Sequence, residues 1–314
     1  MASRRGVGMW GRGGVLALAA LLALVLVWLR QRPSTERDWQ PNEAVMPSIT
    51  FRGRLVDVRN VRFTTYRSTE DYTPAYDQRT YDLERLVRVW FVVEPFSKWG
   101  GAAHTFLSFE FTGPEFVAIS VEARKERGET YHFVKGLFRG YELLYVVGDE
   151  RDLVRLRSNY RRDEVFLYPI RASPERVRAL FAEMLERADA LRRAPEFYNT
   201  LTSNCTSNIV RHVNRLVPGR VPFSVRWMFP GYADRLAYDL GLIDTALPFD
   251  SIRARFRIDE RALRYGDRED FSVRIRDSLP PPGSSPPDPL PLTGEGARNQ
   301  GVSSPARVPP PPAP

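Results

Sequence analysis

Residues 164–193, EVFLYPIRASPERVRALFAEMLERADALRR, contain the point at which the hydrophobic pattern changes from that of a strand to that of a helix. EVFLYPI is short and rich in β-branched and aromatic residues, as strands are. Ser173 is then a candidate N-cap and Pro174 a candidate first helical residue, and the apolar residues that follow recur every three or four positions. The stretch therefore predicts a strand followed by a long helix.

Four further strands are predicted before this point and two further helices after it. The upstream segments RLVRVWFVV, HTFLSFEF, EFVAISVEA and YELLYVV have the composition of strands and are bounded by Gly, Pro or charged residues. Downstream, one helix carries an apolar stripe of Ile209, Val213 and Leu216, and GYADRLAYDLGLI has the pattern of another. Strands followed by helices indicate an α+β domain, which we place at residues 45–265.

The two ends of the chain differ in composition from this domain. Residues 13–29, GGVLALAALLALVLVWL, carry no charge, and their length is at the lower limit of about 17 residues for a membrane-spanning helix. A secretory signal peptide is the alternative, but WLRQRP offers no small-x-small cleavage site, which favours an uncleaved signal anchor, a transmembrane helix, within residues 1–30. Residues 31–44 are interpreted as a polar linker. The proline-rich residues 280–314 are interpreted as a disordered tail, either a spacer or a ligand for a partner.

Composition argues against several classes of function. The formal net charge is +8, but the arginines are scattered among acidic residues, as in DERDLVRLRSNYRRDE at residues 149–164, which indicates a solvated surface of mixed sign. A nucleic-acid-binding protein usually concentrates its positive charge on one stripe or helix. A basic domain near a bilayer is attracted to anionic headgroups, so a membrane is the favoured partner. The chain has no Cys-x-x-Cys pair and no His-x-x-x-His motif, so neither a metal site nor a cofactor is expected.

The single cysteine, Cys205, lies in NTLTSNCTSNIVRHVNRL at residues 199–216. Asn204 or Ser203 can cap the predicted helix, which places the thiol in its first turn. There the positive end of the helix dipole favours a thiolate, the reactive form of cysteine. The alternative is that Cys205 is a small buried apolar residue, as most free cysteines are.

A cysteine nucleophile needs a base within hydrogen-bonding distance, and the chain contains three histidines. His212 follows Cys205 by seven residues on the same predicted helix, about 10 Å along its axis, which is too far. His132 lies in a predicted surface turn. His104 is the remaining candidate, because the alternation in AHTFLSFEF places it on the more polar face of a strand.

Two polar residues of the next predicted strand can orient the His104 ring. In EFVAISVEA, Ser120 and Glu122 lie on the more polar face, so either can approach His104 if the two strands pair. A histidine on a strand, a polar residue beside it and a cysteine at a helix start form a papain-type arrangement, here with histidine first in the chain. An imidazolium and the helix dipole together predict that Cys205 is a thiolate at pH 6. The alternative is a histidine at the sheet surface with an ordinary cross-strand partner.

Several of these segments resemble the Lnb N-terminal periplasmic domain family. The motifs are NTLTSNCTSNIVRHVNRL, AHTFLSFEF, AISVEARKERGE and KGLFRGYELLYVVGDERDLVRLRSN, and the resemblance runs from about residue 39 to residue 259. The family is similar to circularly permuted papain-like folds, including the lecithin retinol acyltransferase group, in which histidine also precedes cysteine. The resemblance implies a papain-like, circularly permuted fold in which an antiparallel sheet packs against helices.

The resemblance also implies roles for individual residues. Cys205 is the implied nucleophile and His104 its base, and Glu122 or Ser120 is the implied third member of the catalytic group. No metal or cofactor is implied.

The function implied by the resemblance is that of a membrane-anchored envelope acyltransferase. It would take an acyl chain from a phospholipid through a Cys205 thioester, as in lipoprotein N-acylation, from a position in the inner membrane with its domain in the periplasm. Asn204 and Asn208, on either side of Cys205, are candidate substrate-binding residues. Two alternatives are a cysteine peptidase or amidase that acts on peptide or cell-wall substrates, and a non-catalytic binding module whose proline-rich tail recruits a partner.

Overall fold

The computed structural model describes residues 8–266 and 268–281. It begins with α1 (Gly8–Arg30), which covers the uncharged run of the sequence. Among the described residues, no helix has both the length and the apolar character that crossing a bilayer requires. The predicted proline-rich tail lies outside the described residues from residue 282 onward.

The five strands predicted from the sequence are present and lie side by side in one sheet of eight strands. The order along the sheet is β1-β2-β9-β8-β7-β6-β10, with β5 also paired to β2, while β3 and β4 pair with each other in a separate small sheet. The strands are β1 (Ser48–Arg52), β2 (Leu55–Arg62), β3 (Thr65–Tyr66), β4 (Tyr72–Thr73), β5 (Tyr76–Asp82), β6 (Leu86–Pro95), β7 (Ala103–Phe111), β8 (Phe116–Arg124), β9 (Glu142–Gly148) and β10 (Phe166–Pro169).

The sheet is mixed, whereas the expected sheet is antiparallel. β2 and β9 pair in parallel through Arg62 and Gly148, and the other neighbouring strands pair antiparallel. Parallel neighbours require a long crossover connection. Here β3 to β8 lie between the two strands in the chain, which gives the crossover its length.

The three predicted helices follow the last strand of the sheet, although other helical segments lie between strands, and helices pack on both faces of the sheet. The predicted long helix is α4 (Pro174–Arg193), with Ser173 as its N-cap, and the other two predicted helices are α5 (Cys205–Leu216) and α7 (Ala233–Asp239). The remaining helical elements are α2 (Phe133–Leu137), α3 (Glu150–Arg155), a π-helical segment (Leu156–Arg161), α6 (Val225–Met228), α8 (Phe249–Phe256), α9 (Asp259–Tyr265), α10 (Phe271–Arg274) and the 3₁₀ turns Leu83–Arg85 and Pro230–Tyr232.

Alternate residues of β7 contact different helices, because successive side chains of a strand point to opposite faces. Phe109 and Phe111 meet Phe181 of α4, with ring centroids 4.9 and 5.7 Å apart. α5 packs beside α4 on this face, which we call the α5 face. Phe106 points the other way and lies 4.8 Å from the guanidinium of Arg157 in the π-helical segment. We call this second side the π-helix face.

The strands between residues 48 and 82 were not predicted from the sequence. Charged residues interrupt their apolar pattern, as in LVDVRNVR of β2, although Val56, Val58 and Val61 of that strand are fully buried. A β-bulge at Asn60, whose φ is 65°, also shifts the pairing with β5. One extra residue breaks the period of two on which recognition of a strand depends.

Residues 31–44, predicted as a linker, contain a residue that packs against the domain. Trp39 is 5% exposed, forms a β-bridge with Glu126 and lies 4.1 Å from the guanidinium of Arg124. Together with the ion pair between Glu43 and Lys125, these contacts attach the segment to the domain. The fold also continues past residue 265, since Phe271 of α10 is fully buried.

Candidate active site

α5 begins with a complete capping box around Cys205. Asn204 is the N-cap: its side-chain oxygen accepts a hydrogen bond from the N–H of Ser207 at 2.8 Å, and the Ser207 hydroxyl accepts one from the N–H of Asn204 at 2.8 Å. These bonds satisfy two of the backbone donors near the start of the helix. Cys205 therefore lies in the first turn, as a free thiol that is 3% exposed.

The Cys205 sulfur lies beside two threonines. Its Sγ is 4.0 Å from the Thr206 hydroxyl, which is 2.9 Å from the hydroxyl of Thr105 on β7. Burial raises the pKa of the Cys205 thiol, and hydrogen bonding from Thr105 and Thr206 opposes this effect only in part. The direction of this shift is opposite to that expected for a thiolate at pH 6, because removal from water disfavours the charged form of the thiol.

We expect the rate of Cys205 alkylation by iodoacetamide to reach half of its maximum at a higher pH in the folded protein than in the unfolded chain. Only the thiolate reacts, and burial raises the pKa of this thiol. The measurement is the alkylation rate from pH 5 to about pH 10 by intact-protein mass, where one added group reports the single cysteine. The same protein in urea is the control. A midpoint below that of the unfolded chain would contradict the assignment of a resting thiol.

His104, Ser120 and Glu122 form a hydrogen-bonded chain on the π-helix face. His104 Nε2 lies 2.7 Å from Ser120 Oγ, and this hydroxyl donates to Glu122 Oε1 at 2.8 Å. Because the Ser120 proton is directed to the carboxylate, its oxygen accepts from Nε2–H, which leaves Nδ1 as the ring nitrogen able to accept a proton. The histidine and the carboxylate are 3.9 Å apart, so the hydroxyl lies between them and both predicted orienting residues take part.

A buried arginine holds this chain in place. Arg157 is 1% exposed, donates from Nη2 to Glu122 Oε1 at 3.0 Å, and has its Nε 2.6 Å from Glu94 Oε2. Arg161 donates to the other oxygen of Glu94 at 3.1 Å. Burial acts to raise the pKa of each glutamate, but the arginines outweigh it, so the pKa of Glu94 is lowered and that of Glu122 lies well below its usual range. Both carboxylates are therefore charged at neutral pH.

His104 is neutral in this surrounding. Burial, and after it the charge of Arg157, lower the pKa of His104 to about 4, although Glu122 acts in the opposite direction. A neutral imidazole can accept a proton at pH 7, which an imidazolium cannot. The resting site therefore contains a thiol and a neutral imidazole.

We expect His104 to make the protein less stable as the pH falls from about 6.5 to about 4. The pKa of His104 is about 4 in the folded protein and about 6.5 in the unfolded chain, so between these values the unfolded state binds more protons. The free energy of unfolding should then fall by up to about 1.4 kcal/mol per pH unit. The measurement is urea unfolding at pH 7, 5.5 and 4.5.

The matched variant is His104→Gln, in which this slope should be reduced. Glu94 and Glu122 have lowered pKa values and lose their stabilising charge only at more acidic pH, so they do not account for the same window. An unchanged slope between pH 6.5 and 4.5 in His104→Gln would exclude His104 as its source.

Cys205 and His104, both among the described residues, are not hydrogen bonded to each other. They lie on different sides of β7: Thr105 faces α5 and the sulfur, whereas His104, the preceding residue, bonds to Ser120 on the π-helix face. The first paired residues of β7 and β8 are Phe106 and Ser120, so the two strands are no longer paired at His104. The papain-type pair stays a prediction, and its formation requires the ring or the strand to move.

Asn204 and Asn208, the candidate substrate-binding residues, both make internal hydrogen bonds. The Asn204 amide donates to the carbonyl oxygens of Thr200 and Met228 at 2.8 and 3.1 Å. The Asn208 amide donates to the Asn204 carbonyl at 2.8 Å and to the Ser203 hydroxyl at 3.3 Å. These contacts fix the position of the helix start that carries the thiol. Substrate binding by either asparagine stays a prediction.

Only part of residues 149–164 forms the solvated surface that the sequence suggests, since Arg161, Arg162 and Glu164 are exposed. Glu150 and Asp152 are fully buried. Asp152 pairs with Arg62 at 2.9 Å, and Glu150 pairs with Arg276 at 2.7 Å. Each partner comes from a distant part of the chain, so the local pattern gives no sign of the burial.

The other two histidines lie outside the site. His132 is exposed, as predicted, just before α2. His212 is 2% exposed, with Nε2 2.7 Å from the Tyr145 hydroxyl and Nδ1 bonded to Glu183, so it has a structural role in packing α5. Within residues 8–266 and 268–281, no group of three or more His, Cys, Asp or Glu side chains is arranged to hold a metal ion.

Two loops meet beside the start of α5. The segment that connects α6 to the 3₁₀ turn Pro230–Tyr232 is held by Asn204 through the Met228 carbonyl, and the N–H of Gly231 donates to the Gly101 carbonyl at 3.1 Å. A Cβ at Gly231 would lie 2.0 Å from the carbonyl oxygen of Gly100, so this close approach requires glycine. The two loops and the residues next to them carry the exposed aromatic side chains Phe96, Trp99, Phe223 and Tyr232.

The fold and the site define an α+β protein with a cysteine at a helix start and a His–Ser–Glu chain on the neighbouring strands. Residues 72–231 match the family model of the Lnb N-terminal periplasmic domain, and the matched region contains β7, β8 and α5. The match covers just over half of the chain, and the protein belongs to this family. The family description indicates a periplasmic location for the domain. No curated protein and no solved structure compared with the chain gives a significant match.

Proposed function

We propose that this protein is an envelope acyltransferase that carries an acyl chain from a phospholipid to an amine through a thioester at Cys205, as in lipoprotein N-acylation. One observation carries the proposal: the buried thiol lies beside the paired hydroxyls of Thr206 and Thr105, and His104, the residue before Thr105 in β7, is oriented by Ser120 and Glu122. Histidine precedes cysteine in the chain, which supports a circularly permuted papain-like arrangement.

The first half-reaction forms the thioester. Once the ring or the strand has moved to bring Nδ1 to the sulfur, His104 takes the proton of the Cys205 thiol while the sulfur attacks the ester carbonyl of the lipid. The C–O bond then breaks. The imidazole gives its proton to the departing oxygen, and the lysophospholipid leaves as an alcohol. The ester is converted to a thioester, with no change in oxidation state.

The second half-reaction consumes the thioester. An amine attacks the thioester carbonyl and loses a proton to His104, the C–S bond breaks, and the sulfur recovers that proton. The products are an amide and the free Cys205 thiol. Water in place of the amine would release a fatty acid, so the acceptor decides between transfer and hydrolysis.

Backbone groups at the start of α5 can stabilise the oxyanion of both steps. The capping box uses the N–H groups of Asn204 and Ser207. The N–H groups of Cys205 and Thr206 point in the same general direction at a helix start, where negative charge is favoured. An oxyanion that develops next to Sγ would accept from them.

The proposed location is the inner membrane, with the domain in the periplasm. α1 carries exposed apolar side chains, including Leu16, Leu18 and Leu26, which are 71%, 58% and 56% exposed. Hydrophobic surface of this kind favours contact with lipid. Exposed Trp99 and Tyr232 beside the start of α5 suit a membrane interface, where amphipathic aromatic rings are enriched.

The test is to trap the acyl-enzyme. The full chain is incubated with phosphatidylglycerol vesicles, whose headgroup carries no amine acceptor, and its intact mass is measured before and after neutral hydroxylamine, which cleaves thioesters. We expect one acyl addition that hydroxylamine removes. No acyl addition, together with release of peptides from cell-wall fragments, would instead support a peptidase or amidase.

A further inference from the structure

An apolar cavity of about 80 Å³ lies between α5, α7 and the α5 face of the sheet. Leu107 of β7, Ile209 of α5 and Leu236 and Ala237 of α7 contribute to its walls. Of the residues that line it, Thr206 alone carries a polar side chain. Apolar cavities of this order stay dry and accept apolar ligands.

The cavity adjoins the candidate nucleophile. Thr206 follows Cys205 in α5, and its hydroxyl is 4.0 Å from the Cys205 sulfur and 2.9 Å from the Thr105 hydroxyl. The paired threonine hydroxyls therefore lie between the thiol and the apolar walls of the cavity. A ligand bound to the sulfur would have its polar carbonyl near these hydroxyls and its remaining atoms among aliphatic side chains.

We propose that this cavity binds the fatty acyl chain while it is attached to Cys205 as a thioester. The inference rests on the proposed acyl transfer and adds the site that would hold the first carbons of the chain. The enclosed volume takes the carbons next to the carbonyl. The rest of the chain leaves between α5 and α7, where Val210, Val213 and Leu240 line the cavity and are only half-buried.

The side chains of α7 are the part of this wall best suited to substitution. Ala237 is small and 8% exposed, so Ala237→Leu adds bulk to the cavity from a helix near the surface. Leu240→Ala enlarges it at the half-buried end. Leu263→Ala is the matched control, because Leu263 is 42% exposed on α9 and does not line the cavity.

The experiment presents wild type and the three variants with vesicles of phosphatidylglycerols, which carry no amine, with C12, C14, C16 and C18 chains in equal amounts. The acyl groups on Cys205 are then measured by intact mass. Each buried methylene contributes about fourfold in binding, and a chain of any of these lengths places its first carbons in the cavity, so Ala237→Leu should lower the acylation of Cys205 by about tenfold or more at every chain length, whereas Leu240→Ala should not lower it. Leu263→Ala should match wild type. A folded Ala237→Leu protein that is acylated to the wild-type extent would overturn the cavity assignment.

A second measurement separates this inference from the proposed function. Binding of cis-parinaric acid to the wild-type full chain, displaced by palmitate, needs no chemistry at Cys205. If no lipid acylates the protein, acyl transfer fails, but displaceable binding that Ala237→Leu weakens by about fourfold or more still supports an acyl-chain site. If wild type binds no fatty acid, or Ala237→Leu binds it as wild type does, the cavity is not that site.

Discussion

Cys205→Ser is expected to lower acyl transfer by about 10⁵-fold or more while the protein remains folded. The thiol is the group that would carry the acyl chain, and removal of a nucleophile that acts together with its base costs nearly the whole of the catalysis. Serine is close in size to cysteine, and the site around Cys205 already contains the hydroxyls of Thr105 and Thr206. The measurements are single-turnover transfer from labelled phosphatidylethanolamine and thermal unfolding.

His104→Ala should lower the same rate by about 10²- to 10⁴-fold, the usual contribution of a general base. The matched control is His132→Ala, since His132 is exposed before α2 and has no place in the site. Ser120→Ala should have an intermediate effect, because the ring loses the acceptor at 2.7 Å that selects its tautomer. Equal activity in His104→Ala and His132→Ala would remove His104 from the mechanism.

Arg157→Leu is expected to reduce the free energy of unfolding by about 3–5 kcal/mol. Arg157 pairs with Glu94, which is fully buried, and with Glu122, and loss of one partner leaves a charge without compensation in a low-dielectric interior. The measurement is urea unfolding at pH 7. The matched surface variant is Arg178→Ala, whose partner Glu175 is 71% exposed, and it should change stability by less than about 0.5 kcal/mol.

Two further results would support this account of Arg157. The double variant Arg157→Leu/Glu94→Gln should recover part of the lost stability, because one of the orphaned charges is then removed. The pKa of His104 should rise above its value of about 4, since Arg157 is one of the causes that lower it. If Arg157→Leu were as stable as Arg178→Ala, the pairs would contribute little to the fold.

The sequence predicts those parts of the fold in which local pattern and tertiary packing agree. β6 to β10 are dense in apolar residues, and α4 has a capping serine, a proline at its first position and a regular apolar stripe. β1 to β5 lack such a pattern, because charged residues and the bulge at Asn60 interrupt it. The parallel pairing of β2 with β9 depends on a long crossover, so this pairing could not be predicted from any short segment of the sequence.

The site was predictable where strand alternation alone decides it. The placement of His104, Ser120 and Glu122 on one face follows from the period of two in β7 and β8. The same alternation turns the side chain of Thr105, and not that of His104, toward α5, which the sequence analysis did not take into account. The resting protonation states depend on burial and on Arg157, whose acidic partners lie 63 and 35 residues away in the chain. No local sequence motif indicates contacts between residues so far apart in the chain.

The contact between Gly231 and Gly100 has a consequence for how the site could open. No side chain separates the two backbones, and the hydrogen bond from Gly231 to Gly101 joins them further. A displacement of one loop therefore carries the other with it, along with the aromatic side chains attached to both. Asn204 ties the same pair to the first turn of α5 through Met228. If a lipid reaches Cys205 as proposed, the two loops would therefore move together during its entry.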